Sequence, residues 1–149
     1  MIFGDKNTGA FVRKLVNEFH VDFDDYDSQV KDSLYLHNNK EVLNPELVKL
    51  KDNSIIVTKN VINVSALNKI PKNYILYEGI GHEADHNSAY LNTILRADEN
   101  CYSLNTKTGQ FYNFGEKIRL VSAYQARNNR RVIMTGSVSL CSNKFYHLR

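Results

Sequence analysis

Cysteine is scarce in this chain. Cys101 and Cys141 are the only two, and no C-x-x-C spacing is present, so a disulfide framework and a paired-thiol zinc or redox motif are both excluded. They allow one bridge in an oxidising compartment and two thiols in a reducing one. Long apolar runs are absent as well: nothing approaches the roughly 18 apolar residues of a membrane-spanning helix. The start, Met1-Ile2-Phe3-Gly4-Asp5-Lys6, has no apolar run of signal-peptide length. Charge of one sign is also lacking, and a net charge of +3 is too small to argue for a nucleic-acid partner. No internal repeat, linker or low-complexity tract divides the chain. What is present is 149 residues, of which 42% are hydrophobic and 23% charged, enough for one domain with a sizeable core. Composition alone reads as a soluble, cytosolic, single-domain protein.

Apolar periodicity predicts a helix from Asn7 to Phe19, capped by Asn7 or Thr8, with Val12, Leu15 and Phe19 at helical spacing. His20-Val21-Asp22-Phe23 alternates like a short strand, and residues 24–53 are polar and irregular. Ser54 to Thr58 and Asn73 to Tyr77 read as strands, with a short helix between them in 61–70. A helix is expected from Asn87 to Arg96, burying Tyr90, Leu91, Ile94 and Leu95. Cys101 to Leu104 and Gln110 to Tyr112 flank a Lys107-Thr108-Gly109 turn and predict a hairpin. Ile118 to Ser122 and Arg131 to Thr135 are two further strands. Strands alternating with helices imply an α/β class, with a partly parallel sheet flanked by helices.

His82-Glu83-Ala84-Asp85-His86 satisfies H-E-x-x-H. On a helix, His82 and His86 would share a face and bind zinc, and Glu83 would activate a metal-bound water. The string instead follows Gly79-Ile80-Gly81, where the chain turns out of a strand, and it lacks apolar residues to seat a helix. None of His20, His37 and His147 stands at a diagnostic third-ligand spacing. A polar loop with two solvated histidines is the expectation, and a zinc-dependent hydrolase is the alternative. Gly79-x-Gly81-x-x-Ala84 also matches a dinucleotide fingerprint, which makes a nucleotide-binding α/β protein a second alternative. The acidic residue expected about 20 positions on is missing, because Asp98 and Glu99 come sooner and in a turn. Tight turning is therefore the expected work of Gly79 and Gly81, and no cofactor is expected.

Asp22-x-Asp24-Asp25-x-Asp27 lacks the glycine and closing glutamate of a calcium loop and reads as a solvated acidic turn. Arg127, Arg130, Arg131, Lys144 and Arg149 lie among Tyr124, Phe145 and Tyr146, a mixture that can grip single-stranded nucleic acid. Arg130 and Arg131 would face opposite sides of a strand, so a nucleic-acid partner is not expected. No G-x-S-x-G elbow is present, and neither cysteine sits in a nucleophile motif. Asn63-Val64-Ser65 is an N-glycosylation sequon that matters only in the secretory pathway.

The stretch Ala123-Tyr124-Gln125-Ala126-Arg127-Asn128-Asn129-Arg130-Arg131-Val132-Ile133-Met134-Thr135-Gly136-Ser137 resembles a signature of the oligosaccharyltransferase 48-kilodalton subunit family. Cys141 to Tyr146 is similar to that family's serine- and aromatic-rich segment, and Tyr77 to Gly81 with Ala84-Asp85 to its Gly-x-Gly-x-x-Ala-Asp segment. Leu91 to Leu95 falls where the family has an apolar helix, and Leu15 to Asp24 and Asp52 to Thr58 fit in order. The resemblance implies a non-catalytic subunit of the complex that transfers a lipid-linked oligosaccharide to asparagine. It implies a place on the lumenal side of the endoplasmic reticulum membrane, held there by a C-terminal helix that this chain lacks. The implied partners are other subunits of the complex, including the catalytic one, which lies on a different, multi-spanning chain. The implied fold is a flavodoxin/glutamine-amidotransferase-like α/β domain without that enzyme's catalytic residues, with 1–149 a single domain from a larger lumenal region. Gln125, Arg127, Asn128, Asn129, Gly136 and Ser137 are then subunit-interface or family-motif residues. A sheet without its neighbours is expected to expose an apolar edge, leaving the isolated chain marginally stable or self-associating.

Overall fold

A computed structural model describes residues 1–33, 53–61, 75–85 and 87–144. Among these the only α-helix is α1 (Ala10–Asn17). The strands are β1 (Ile2–Phe3), β2 (Val21–Phe23), β3 (Ser28–Asp32), β4 (Ile56–Thr58), β5 (Ile75–Tyr77), β6 (His82–Ala84), β7 (Leu91–Arg96), β8 (Cys101–Asn105), β9 (Phe111–Phe114), β10 (Arg119–Gln125) and β11 (Arg131–Thr135). The main sheet runs β1-β11-β10-β6-β2, with β7 also paired to β10. Beside it lie a three-stranded sheet, β3-β8-β9, and the β4-β5 pair. Only β1 and β11 pair in parallel; every other pairing between these strands is antiparallel.

This corrects the expected fold class. The described residues are strand-dominated and mostly antiparallel, not a helix-flanked, partly parallel flavodoxin/glutamine-amidotransferase-like α/β sheet. The decisive segment is 87–96. Tyr90, Leu91, Ile94 and Leu95 satisfy a helical stripe and a strand about equally, because a short apolar run does not separate the two periods. β-Branched Thr93 and Ile94 favour the strand. The antiparallel partner β10 takes up the backbone of β7 from Leu91↔Tyr124 to Arg96↔Arg119, with register shifts around Val121. Thr93 and Leu95 are buried while Asn92 is exposed, which is the alternation of a strand. β3 lies in the stretch expected to be irregular. Its inward positions are Ser28 and Val30, and a serine there hides the period-two signal.

The other elements follow their residues more closely. α1 is shorter than the expected Asn7–Phe19 and presents a different face: Val16 is fully buried, with Val12 and, beyond the helix end, Phe19 packed beside it, whereas Leu15, expected on the buried stripe, is exposed. The helix cap falls at Gly9, with no side-chain hydrogen bond. Thr8 instead closes a turn whose Oγ1 accepts from Asp5 N. The β8–β9 hairpin turns where expected: Asn105 Oδ1 accepts from the amides of Lys107 and Thr108, and Gly109 takes φ +72°. Residues 61–70, apart from Val61, lie outside the described residues, as do Asn63, His37, His86, Phe145, Tyr146, His147 and Arg149.

Two apolar clusters form the core. One gathers Val30, Ile56, Tyr77, Leu95, Ile118 and Leu120 between the three sheets. The other sets Val16, Val21, Phe23, Ile80 and Met134 under α1. Tyr77 and Ile80 belong one to each cluster, so the segment joining them ties the two together.

Candidate functional site

Three sequence features converge on the main sheet: the H-E-x-x-H string, the Gly79–Gly81 segment, and the Gln125–Ser137 signature.

His82 and Glu83 lie on strand β6, not on a loop or a helix. Adjacent strand residues point to opposite faces, and accordingly His82 is 1% exposed while Glu83 faces solvent. The His82 ring shares a 2.7 Å hydrogen bond between Nε2 and Ser122 Oγ, and sits edge-on to Phe23 at 5.8 Å. Burial, with the nearby Arg119 charge adding to it, pushes its pKa down to about 3. The expectation of a solvated histidine is therefore corrected: His82 is a neutral core residue. The zinc alternative is corrected with it, because a histidine and a glutamate on opposite faces of a strand cannot act on one metal-bound water. No group of metal ligands occurs among the described residues. Glu83 instead borders an open groove of about 480 Å³ with His20, Asp22 and Asp85.

The acidic string is likewise more than a solvated turn. Asp24 is buried, and its carboxylate accepts from Ser103 Oγ and sits close to Gly81. Burial raises its pKa, against the lowering effect of the Ser103 hydrogen bond. Arg13 binds this strand end from α1, donating through Nη1 to the carbonyls of Phe23 and Asp24 at 2.9 and 2.6 Å.

Gly79-Ile80-Gly81 runs alongside Gly136 at the exit of β11. Ile80 N donates to Gly136 O at 3.0 Å, and Val30 N donates to Gly79 O at 3.0 Å. A methyl group on Gly79 would lie 2.2 Å from Gly136 O, and one on Gly136 would lie 2.2 Å from Ile80 O. Neither distance is compatible with a side chain, so glycine is required on both sides of the seam. Ser137 Oγ donates to Glu78 O at 2.6 Å and accepts from Leu140 N, while Lys144 Nζ binds the Glu78 carboxylate. The nucleotide alternative needs the Gly79–Gly81 amides to open a helix toward a cleft. Here the Ile80 amide is used within the protein and the next element is strand β6.

The remaining signature residues form the tip of the β10–β11 hairpin, beyond the Gln125↔Arg131 pair. Ala126 N donates to Arg130 O, and Asn129 N to Ala126 O, with Asn129 at φ +61°. Asn128 Oδ1 accepts from Arg130 N, and Gln125 Nε2 donates to Asn129 Oδ1. The two asparagines thus shape their own turn, a role that suits a short amide side chain and a left-handed backbone. Arg127 differs: its Nε donates to Tyr90 Oη, and its guanidinium lies 5.7 Å from the Tyr90 ring centroid. Tyr90 in turn lies 6.1 Å from Tyr124, which packs on Phe19 and His20. Sequence reasoning placed Tyr90 in a helix core and so missed its pairing with Arg127, which only strand β7 makes possible.

Cys101 is buried in the core and Cys141 is exposed, both as free thiols, and burial pushes the Cys101 thiol up to about 12. No helix among the described residues is long and apolar enough to cross a membrane.

The family model described as "OST48, N-terminal domain" matches residues 1–149. The 48 kDa subunit of dolichyl-diphosphooligosaccharide–protein glycosyltransferase from Caenorhabditis elegans is 29% identical across 98% of this chain and 33% of its own length. The subunits of the same name from Danio rerio and Drosophila melanogaster are 25% and 24% identical, over 99% and 98% of this chain and 33% of their own lengths. The chain thus spans about a third of the curated relatives it matches. With its signature glycines accounted for by the seam and the family model matched from end to end, the chain belongs to the OST48 N-terminal domain family.

Proposed function

We propose that this chain is part of a non-catalytic subunit of the oligosaccharyltransferase complex, acting in protein N-linked glycosylation on the lumenal side of the endoplasmic reticulum membrane. The observation that carries this reading is the end-to-end family match, together with relatives that are named as a subunit of that glycosyltransferase. In this role residues 1–149 act as a single assembly domain. The hairpin tip faces another subunit through Arg127, while Gln125, Asn128 and Asn129 serve that contact indirectly by holding the turn in shape. Gly136 and Ser137 serve indirectly, by fixing the hairpin base against Glu78 and Ile80. Exposed polar side chains at a hairpin tip suit the polar rim of a protein interface.

The test is made on the full-length gene product, tagged in its own cell and solubilised in mild detergent. Mass spectrometry should find the catalytic oligosaccharyltransferase subunit co-purifying with it. Recovery of a soluble product without that subunit would overturn the reading.

A further inference from the structure

Charge is distributed unevenly along this chain. All of its aspartates and glutamates lie at or before Glu116, and from Lys117 to Arg149 there is none. The segment after Glu116 therefore brings cations into the fold without acidic neighbours in sequence, an asymmetry that points to an external partner. Three of those cations, Arg127, Arg130 and Arg131, lie within five residues at the β10–β11 tip, and all three are exposed. None of them forms an ion pair among the described residues.

The tip is also built to hold its shape. Asn128 and Asn129 close the turn, and the Arg127 guanidinium is held at Tyr90 by a hydrogen bond and by its approach to the ring. An arginine already ordered by its own protein loses less freedom on binding, and a planar fork suits bidentate contact with a carboxylate.

Resting on the subunit reading above, we infer that the hairpin tip docks onto an acidic segment of a neighbouring subunit that wraps around it, with Arg127 on the Tyr90 side, Arg130 at the turn and Arg131 beside Gln125 on the opposite face each offering a guanidinium–carboxylate pair, and with Asn128 and Asn129 serving only the turn. The alternative occupant, an anionic membrane surface, is less well matched. Basic membrane-binding elements pair their cations with apolar side chains that enter the interface, and the exposed large apolar residues here, such as Phe11, Phe111 and Phe114, lie elsewhere.

The test uses the complex purified through the full-length, tagged gene product, first confirmed to contain the catalytic subunit; without that subunit the functional reading fails before this one is reached. Arg130→Lys and Arg131→Lys keep the charge and supply amines for zero-length carbodiimide coupling. Mass spectrometry should then find residue 130 or 131 joined to an aspartate or glutamate of another polypeptide. The triple variant Arg127→Glu, Arg130→Glu, Arg131→Glu should lower recovery of that polypeptide roughly tenfold at physiological salt, as expected when a charged contact is reversed. If the catalytic subunit is present but coupling joins the tip only to its own chain, the inference is overturned. It is equally overturned if charge reversal leaves every partner in place, or abolishes only binding to anionic vesicles.

Discussion

At the residue scale, two positions carry sharp consequences. Gly79 and Gly136 face one another so closely that a methyl on either would meet a carbonyl oxygen at 2.2 Å. Backbone, unlike a side-chain end, has no rotamer with which to give way. Gly136→Ala should therefore destabilise by about 3 kcal/mol, the upper end of an overpacking cost, as read by chemical denaturation of residues 1–149. A loss near zero would mean that the seam is not as close as described. His82 sets the pH response. Its pKa is about 3 when folded, against roughly 6.5 when unfolded. Between these values the unfolded chain binds more protons, so the stability that His82 contributes is complete above the unfolded value and is lost as pH falls toward the folded one. Unfolding free energy should drop by about 1 kcal/mol from pH 7 to pH 5.5, within the limit of 1.4 kcal/mol per pH unit that one proton sets. Buried Asp24 works the other way, since its raised pKa favours the folded state as the solution becomes more acidic. His82→Gln should flatten the fall between pH 7 and 5.5, and an unchanged slope would assign the effect to another group.

At the element scale, α1 begins without a side-chain cap at Gly9, whose backbone is extended at φ −65° and ψ 159° and whose missing methyl would meet nothing within 4 Å. Gly9→Ser should add a cap to the first-turn amides and restrict the unfolded chain, stabilising by about 0.5–1 kcal/mol. A rise in melting temperature would show it, and no rise would mean that the first turn is held by other means. Elements such as α1, β2 and the β8–β9 hairpin were legible in the sequence because their signals are local: Val12 and Phe19 at helical spacing, Val21 and Phe23 in alternation, Lys107-Thr108-Gly109 at a turn. β7 and β6 were not legible, because pairing decides them. Leu91 to Arg96 becomes a strand through β10, and His82 becomes a core residue because β2 on one side and β10 on the other enclose β6. The same limit applied to the site. Gln125 to Ser137 stood out as a signature, but its division into residues that build the turn and residues that face outward depends on Tyr90, 37 positions before Arg127.

At the scale of the whole molecule, the surface is uneven. Among the described residues, one edge of the three-stranded sheet is β9, paired to β8 along one side only. On it Phe111 and Phe114 are 54% and 59% exposed, stacked at 5.4 Å, with Tyr102 beside Phe111. Edge strands of soluble proteins are commonly protected by charge, proline or a bulge pointing outward. An aromatic pair on an unpaired edge offers both backbone groups and apolar area to a second strand. Residues 1–149 expressed alone should therefore self-associate with rising concentration, as sedimentation velocity would show. Phe111→Lys with Phe114→Lys should restore a monomer without loss of stability, because neither ring belongs to a core cluster. The Arg127–Arg131 tip makes a control for this prediction. It lies on another sheet, so reversing its charge should leave self-association unchanged, whereas the phenylalanine pair should leave docking by the tip unchanged. If self-association instead followed the arginines and weakened with salt, a basic tip on one copy would be meeting the acidic groove of Asp22, Glu83 and Asp85 on another. The two surfaces are separable in this way because one attracts through apolar area and backbone pairing, and the other through charge that salt screens.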